Sequence, residues 1–333
     1  LHFIQSLPDD SIDLIVTDPP YFKVKPNGWD NQWKGDEDYL KWLDHCLAQF
    51  WRVLKPAGSL YLFCGHRLAS DIEIMMRERF NVLNHIIWAK PSGRWNGCNK
   101  ESLRAYFPAT ERVLFAEHYQ GPYRGKSDGY AAKERELKQH IMAPLISYFR
   151  DARAELGITA KQIAEATGKK NMVSHWFGAS QWQLPNEADY RKLQALFSRI
   201  AAEKFQEQQL EQPHHQLVAS YDSLNRKYSE LLDEFKTLRR YFSVSVSVPY
   251  TDVWTHKPVQ FYPGKHPCEK PADMLRQIIS ASSRQGDLVA DFFMGSGSTI
   301  KAAMALGRRA LGVELESERF NQTVKEVSEL VGK

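Results

Sequence analysis

Asp18-Pro19-Pro20-Tyr21 follows directly on the apolar run from Ile12 to Val16, and its residue types suit a flat ring carrying an exocyclic amine. Each proline fixes its own φ and lacks a backbone donor, so carbonyls beside the pair turn outward without a strand partner. Asp18 adds a carboxylate and Tyr21 a planar face. Two acceptors for an amine and one surface for stacking point to a nucleobase and to chemistry at its amino group. A rigid turn without a ligand is the plain alternative for the tetrapeptide taken alone.

A second constellation, Asp291-Phe292-Phe293-Met294-Gly295-Ser296-Gly297-Ser298-Thr299, falls at a strand-to-helix turn. Glycines there let the backbone approach a ligand, and the following helix presents its positive end. The order is not that of a phosphate loop, which ends in Gly-Lys-Ser/Thr. Nor is it a dinucleotide fingerprint, because Ile300 stands where a third glycine belongs. Glu314 closes the next strand, a position from which an acid binds a ribose diol. Together these features predict a nucleoside-bearing cofactor without a pyrophosphate; an ordinary βα turn with a surface glutamate is the alternative.

The elements around these turns alternate. Asp13 to Thr17 reads as a buried strand, Asp38 to Leu54 as an amphipathic helix stopped by Lys55-Pro56-Ala57-Gly58, and Ser59 to Cys64 as a strand. A helix over Arg67 to Arg79 precedes strands at Val82 to Trp88 and Arg112 to Glu117. Only a loop joins those two strands, so one of them is expected to be antiparallel. After a helical stretch, the alternation returns with helix Met274 to Ser282, strand Leu288 to Phe292, helix Thr299 to Leu306, strand Ala310 to Glu314 and helix Glu316 to Leu330. The pattern predicts one α/β domain with a mostly parallel sheet, interrupted by an insertion.

Both motifs in this chain order resemble the S-adenosylmethionine-dependent amino-group DNA methyltransferases, in the permuted (beta) class whose catalytic motif precedes the cofactor loop. Asp18-Pro19-Pro20-Tyr21 matches the catalytic tetrapeptide in its adenine-type spelling, where cytosine enzymes more often carry serine. Asp291 to Thr299 matches the cofactor loop, Gly312-Val313-Glu314 the ribose-binding acid, and His266-Pro267-Cys268-Glu269-Lys270-Pro271 the His-Pro-x-x-Lys-Pro signature. Lys55-Pro56-Ala57-Gly58-Ser59 and Trp88-Ala89-Lys90-Pro91 also fall where that class has similar segments. The resemblance covers residues 1–118 and 250–333. It implies a Rossmann-like mixed sheet of the class I methyltransferase type, S-adenosylmethionine as cofactor, DNA as partner and methyl transfer to adenine N6. By the same resemblance Asp18 and Pro19, with Pro20 shaping the turn, orient the amine, and Tyr21 stacks a flipped-out base. Asp291, Phe292, Phe293, Gly295, Ser296, Gly297, Ser298 and Thr299 hold the cofactor, Glu314 takes its ribose, and Lys270 meets the carboxylate of its methionine part; a plain helix-start lysine is the alternative for Lys270. Cytosine N4 chemistry, a DNA-binding regulator on an inactive scaffold and an RNA substrate stay open. So do a homodimer, the recognised sequence, a restriction partner and a further strand upstream of Leu1.

Residues 119–249 stand where this class has its target-recognition region. Within them 158–177 resembles a helix-turn-helix: Thr159 suits an N-cap, Ile163 and Ala164 face inward, Gly168 makes the turn, and Val173 and Trp176 are buried. That leaves Lys169, Lys170, Asn171, Ser174 and His175 outward for phosphates or base edges; a packing module is the alternative. Ser198 to Phe242, divided by Pro213, reads as a long solvent-facing helix or helical hairpin. Lys23 and Lys25, in the loop from Phe22 to Lys34 that also holds Trp29 and Trp33, are expected to reach phosphates from a mobile segment, with a packed surface loop as the alternative.

Composition narrows the remaining classes. Net charge of +4 is too small to name a partner, but between His85 and Arg150 there are 11 Lys or Arg against 6 Asp or Glu, interleaved with aromatics. That mixture suits a nucleic-acid surface as well as a solvated loop region. Four scattered cysteines without paired spacing indicate neither a zinc site nor a disulfide framework, and no metal is expected. No apolar run approaches a membrane span, no leader is read, and a reducing cytoplasm is the expected location.

Overall fold

The computed structural model describes residues 2–23, 28–91, 101, 104–118, 139, 141–208, 224–244, 251–263 and 265–331. Its helices are α1 (His2–Gln5), α2 (Asp36–Val53), α3 (Ala69–Met76), α4 (Ala143–Leu156), α5 (Ala160–Thr167), α6 (Val173–Phe177), α7 (Glu187–Gln208), α8 (Tyr228–Leu238), α9 (Ala272–Ser282), α10 (Ser298–Ala305) and α11 (Ser317–Val331). Two compact units are present, one of residues 1–119 with 240–333, the other of residues 120–239.

The first unit is built on β1 (Ile12–Thr17), whose residues are apolar on both sides because helices cover both faces of the sheet. β1 pairs in parallel with β2 (Leu54–Cys64) on one side and β6 (Leu288–Asp291) on the other. With β3 (Phe80–Ala89), β4 (Thr110–His118), β5 (Val253–Trp254) and β7 (Arg309–Gly312), the order is β5-β3-β4-β2-β1-β6-β7. β4 runs antiparallel to both its neighbours and is the reversed strand that the short connection called for. β5 escaped the sequence because two residues carry no period. Successive residues face opposite sides. Leu60, Leu62 and Cys64 pack with Leu43, Leu47 and Phe50 of α2, whereas Tyr61 and Phe63 pack with Met274, Leu275 and Ile278 of α9.

Two boundaries in this unit differ from the expected ones by more than two residues, and β7 ends at Gly312, so Glu314 lies just beyond it. Lys55-Pro56-Ala57-Gly58 does not separate α2 from the strand: Leu54 is already extended, at φ −75° and ψ 129°, and opens β2. The register jumps from Ile12↔Leu54 to Leu14↔Ser59, so these four residues form a bulge where the missing donor of Pro56 breaks no ladder. α3 is also shorter than Arg67 to Arg79. Its last turn loosens after Met76 as the chain swings into β3 at Phe80.

In the second unit the described residues are helical. Leu145 and Phe149 of α4, Trp176 and Phe177 of α6, and Tyr190 and Phe197 of α7 are buried. The ring of Phe149 lies 6.0 Å from Phe177 and 5.9 Å from Tyr190. Of the helix or helical hairpin expected from Ser198 to Phe242, the described residues hold the end of α7, which starts earlier, at Glu187, and the separate α8 with Leu231 buried, while Pro213, Leu217 and Tyr221 lie outside the described residues. α7 buries a stripe of Tyr190, Leu193, Leu196, Phe197 and Ile200 at helical spacing. No helix among the described residues is long and apolar enough to cross a membrane.

Thr159 caps α5 as its sequence position required. Its hydroxyl accepts from the Gln162 N–H, and the Gln162 side chain accepts from the Thr159 N–H, a complete capping box. Thr159→Ala should lower unfolding stability by about 1 kcal/mol and Thr159→Ser by much less. Urea denaturation of both variants checks this, and equal losses would rule out the cap as the cause.

Candidate active site

The carboxyl ends of β1 and β6 lie side by side where the strand order reverses, the place where open α/β sheets bind ligands. Between them opens a cavity of about 470 Å³, lined by Asp18 to Tyr21 from one turn and by Phe292 to Ser296 from the other. Pro19 and Gly295 therefore share one cleft, with Lys270 and Glu314 also on its wall.

On the glycine-loop side a buried knot fixes the turn. Asp291 Oδ1 accepts from Thr17 Oγ1 at 2.9 Å and from the Phe293 N–H at 3.1 Å, while Thr17 Oγ1 itself accepts from the Phe292 N–H at 3.1 Å. Burial pushes the Asp291 carboxyl up to about 6, against hydrogen bonds from Thr299, Phe293 and Thr17 that favour the ionised form. Gly297 at φ 69° caps α10, and a Cβ there would stand 2.3 Å from Thr323 Cγ2, so only glycine fits. Glu314 Oε2 accepts from the Gly295 N–H at 2.9 Å, which ties the acid to the loop. Ser296 and Ser298 share a 2.8 Å hydroxyl contact, Thr299 is buried in the first turn of α10, and Phe292 packs inward on Phe50 with ring centroids 5.1 Å apart. Phe293 meets Trp42 at 5.6 Å.

On the tetrapeptide side a cluster of charges surrounds Asp18. Lys270 Nζ donates to Asp18 Oδ2 and lies 3.4 Å from Glu111 Oε2, and Lys90 Nζ pairs with Glu111 Oε1. Tyr21 Oη donates to Glu111 Oε2 at 3.1 Å. Burial raises the Asp18 carboxyl above its usual range, with Lys270 pulling it back and Glu111 adding to the rise. Burial alone would depress the Lys270 ammonium, but Asp18 and Glu111 outweigh it and raise it. Lys270 is thus engaged on Asp18 and Glu111 at the wall of the cleft. Asp18 Oδ1 is buried and has no hydrogen-bond partner within normal distance among the described residues.

Tyr39 Oη donates to the Pro20 carbonyl at 2.8 Å, and Pro19 lines the cleft. The next two residues, Phe22 and Lys23, sit at φ 60° and 62°, a left-handed pair that costs side-chain residues energy. Asp30 holds them: its Oδ1 accepts from the Phe22 N–H at 2.8 Å and its carbonyl from the Lys23 N–H at 3.0 Å. Phe22, Trp33 and Tyr39 are buried together, so the described part of this loop is packed. Lys23 is exposed, its ammonium 4.7 Å from the Phe22 ring, and Lys25 lies outside the described residues.

The helix-turn-helix residues lie in the other unit. Val173 and Trp176 are buried, and Lys170, Asn171 and Ser174 are exposed. Lys169 pairs with the buried Asp189 at 2.6 Å, and His175 Nδ1 contacts the Gln181 carbonyl at 3.1 Å, so both are partly engaged. Sequence reasoning missed Thr17, Asp30, Tyr39 and Glu111. A hydroxyl ending an otherwise apolar strand, and an acid opening β4, were the available signals.

The family model N6_N4_Mtase, described as DNA methylase, matches residues 12–325. The chain is 25% identical over 320 residues to the DNA adenine methyltransferase YhdJ of Escherichia coli (strain K12), covering 95% of this chain and 76% of that protein. It is 35% identical over 333 residues to the Type II methyltransferase M2.MboI of Moraxella bovis, covering 96% and 81%. The structure of a DNA modification methylase from Thermus thermophilus, complexed with S-adenosyl-L-methionine, aligns at 20% identity and a TM-score of 0.49, over 98% of this chain and 90% of that one.

The knot at Asp291 makes stability depend on pH. With its carboxyl raised from 3.8 to about 6, the native state holds the proton more tightly than the unfolded chain does. The resulting stability is fully present below 3.8 and is lost as pH rises through 6. Asp291→Asn has no such slope. Urea denaturation of both proteins should therefore show the difference moving against wild type by about 2 kcal/mol between pH 4 and 7. A difference that stays flat over that range rules out a buried, proton-holding Asp291.

Proposed function

The chain belongs to the DNA methylase family N6_N4_Mtase, the S-adenosylmethionine-dependent DNA amino-methyltransferases, and from that premise we propose that it methylates the exocyclic N6 of adenine in DNA. The observation that carries this reading is the cleft that Asp18 to Tyr21 share with the glycine loop, where Asp18 Oδ1 has no hydrogen-bond partner within normal distance among the described residues. Leaving a buried acceptor unpaired costs about 1–3 kcal/mol, so a group that delivers an N–H there is strongly favoured. An amino group does so.

The cleft suits the cofactor by its donors and its shape. Gly295 lines the cleft, the Glu314 carboxylate suits a ribose diol, and Ser296, Ser298 and Thr299 stand at the positive end of α10. S-adenosylmethionine supplies an activated methyl group on a sulfonium centre. The chain's own residues then prepare the amine. Adenine N6 is a poor nucleophile because its lone pair is delocalised into the ring. Asp18 Oδ1 and the Pro19 carbonyl, accepting its two hydrogens, favour a pyramidal nitrogen whose lone pair is free to attack. Lys270 keeps Asp18 ionised for that task. The catalytic contribution is positioning and electrostatics, without a covalent enzyme intermediate.

A base within a duplex cannot enter such a pocket, so the target is flipped out, with the Tyr21 ring as its stacking surface. The aspartate in the tetrapeptide and the likeness to an adenine methyltransferase support adenine over cytosine. Residues 120–239 act in target recognition, with Lys170, Asn171 and Ser174 as DNA contacts and Lys169 and His175 beside them. Lys23 and Lys25 meet phosphates next to the cleft.

Labelled methyl transfer to DNA tests the reading directly. Wild type should label DNA, and Asp18→Ala should lose roughly 10²-fold or more in kcat. Nuclease digestion and mass spectrometry should return N6-methyladenine; N4-methylcytosine would overturn the base assignment. Equal inertness of wild type and variant, with DNA binding kept, makes the chain a binder. Separately, Lys170→Ala should weaken DNA binding across sequences and reduce the salt slope of log K by about 1. An unchanged slope removes Lys170 from the interface.

A further inference from the structure

β4 carries a carboxylate behind the cleft. The Glu111 side chain is 18% exposed, and its two oxygens are divided among three partners. Oε2 accepts from Tyr21 Oη at 3.1 Å and lies 3.4 Å from Lys270 Nζ, while Oε1 takes the ammonium of Lys90. Lys270 in turn donates to Asp18 Oδ2 and stands 5.3 Å from the centre of the Tyr21 ring. The side chain that would stack the base and the one that would accept from its amine are therefore tied to the same anion.

We infer that Glu111 is a positioning residue for the target base, clamping the Tyr21 hydroxyl and the Lys270 ammonium together so that stacking plane and acceptor oxygen keep one fixed relation. The inference rests on the methyl-transfer reading above. Charge balance supports it: Asp18 and Glu111 face Lys270 and Lys90, two anions against two cations in a poorly solvated setting. Removing Glu111 leaves Lys90 unpaired, frees the Tyr21 hydroxyl and turns Lys270 wholly towards Asp18. Catalysis that depends on near-attack geometry loses heavily from small displacements.

Charges near Asp18 come from several elements. Lys270 and Glu111 are the closest. Tyr21, Tyr39 of α2 and Cys64 at the end of β2 are neutral, their acid groups raised by burial, and Asp291 lies at the end of β6. Glu111 pushes the Asp18 carboxyl up and Lys270 pulls it down. Neutralising Glu111 must then move the acid limb of kcat to lower pH, and neutralising Lys270 must move it to higher pH. A role confined to packing moves neither limb in these directions.

The test measures kcat and KM against pH by labelled methyl transfer to DNA. The variants are Glu111→Gln, Lys270→Met, Tyr21→Phe and the Glu111→Gln/Tyr21→Phe pair. Glu111→Gln should lower kcat about 10- to 100-fold and shift the acid limb downward, with the cofactor KM within about twofold of wild type. Lys270→Met should shift the limb upward. The double variant should lose less than the product of the single losses, because both remove the same link. Should Glu111→Gln fail to fold, Glu111→Asp keeps the charge and should lower kcat with the acid limb unmoved. Wild-type kcat and pH profile in Glu111→Gln, or in Glu111→Asp where that is the variant measured, would overturn the inference while leaving the methyl-transfer reading intact. A wild-type protein inert on DNA overturns that reading first, and the inference with it.

Discussion

The parallel pairing of β1 with β6, Leu14 to Val289 and Ile15 to Ala290, is the constraint from which the site follows. It sets two turns that are distant in sequence beside each other at one edge of the sheet. Backbone pairing alone leaves the turns free to splay, and Thr17 removes that freedom. Its hydroxyl donates to Asp291 and accepts from the Phe292 N–H, so the last residue of β1 is bonded to both the last residue of β6 and the first of the glycine loop. Asp18 is the next residue after Thr17. The distance between the Asp-Pro-Pro-Tyr turn and the glycine turn is thus set within a few bonds of a buried hydrogen-bond knot.

The second constraint is electrostatic. Burying ions costs several kcal/mol each, and replacing a buried pair by apolar side chains is often neutral or stabilising. Asp18, Lys270, Glu111 and Lys90 are hard to justify as a stabilising device. They are better understood as the means of holding one carboxylate ionised where water cannot solvate it. Aromatic faces share the load: Lys270 stands 5.1 Å from the Phe63 ring centre as well as 5.3 Å from that of Tyr21. The rigid backbone after Tyr21 belongs to the same arrangement. Phe22 and Lys23 occupy left-handed conformations that relax unless held, and Asp30 holds both N–H groups.

Much of this was legible in the chain. Apolar runs announced β1, β2 and β6. Their order with the intervening helices announced a parallel sheet, and two short motifs announced what meets at its edge. Glu111 and Thr17 were not legible, because each acts through a partner nearly a hundred or more positions away. Local spacing holds no trace of such a contact. The pairing of Lys270 with Asp18, 252 positions away, was hidden for the same reason.

Placement of the insertion explains why so large a unit coexists with so finely set a cleft. The chain leaves the sheet after β4 and returns at β5, the outermost strand, where Ile87 and Trp88 pair with Val253 and Trp254. The Trp88 indole N–H then bonds the His256 carbonyl at 2.8 Å, fastening the returning chain. β5 lies four strands from β1 in the sheet order, so re-entry disturbs nothing near Asp18. Closing a flexible loop of ~120 residues rather than ~12 would add only about 2 kcal/mol, and a segment that folds on its own adds less. Chemistry stays at the centre of the sheet, where both neighbours are fixed.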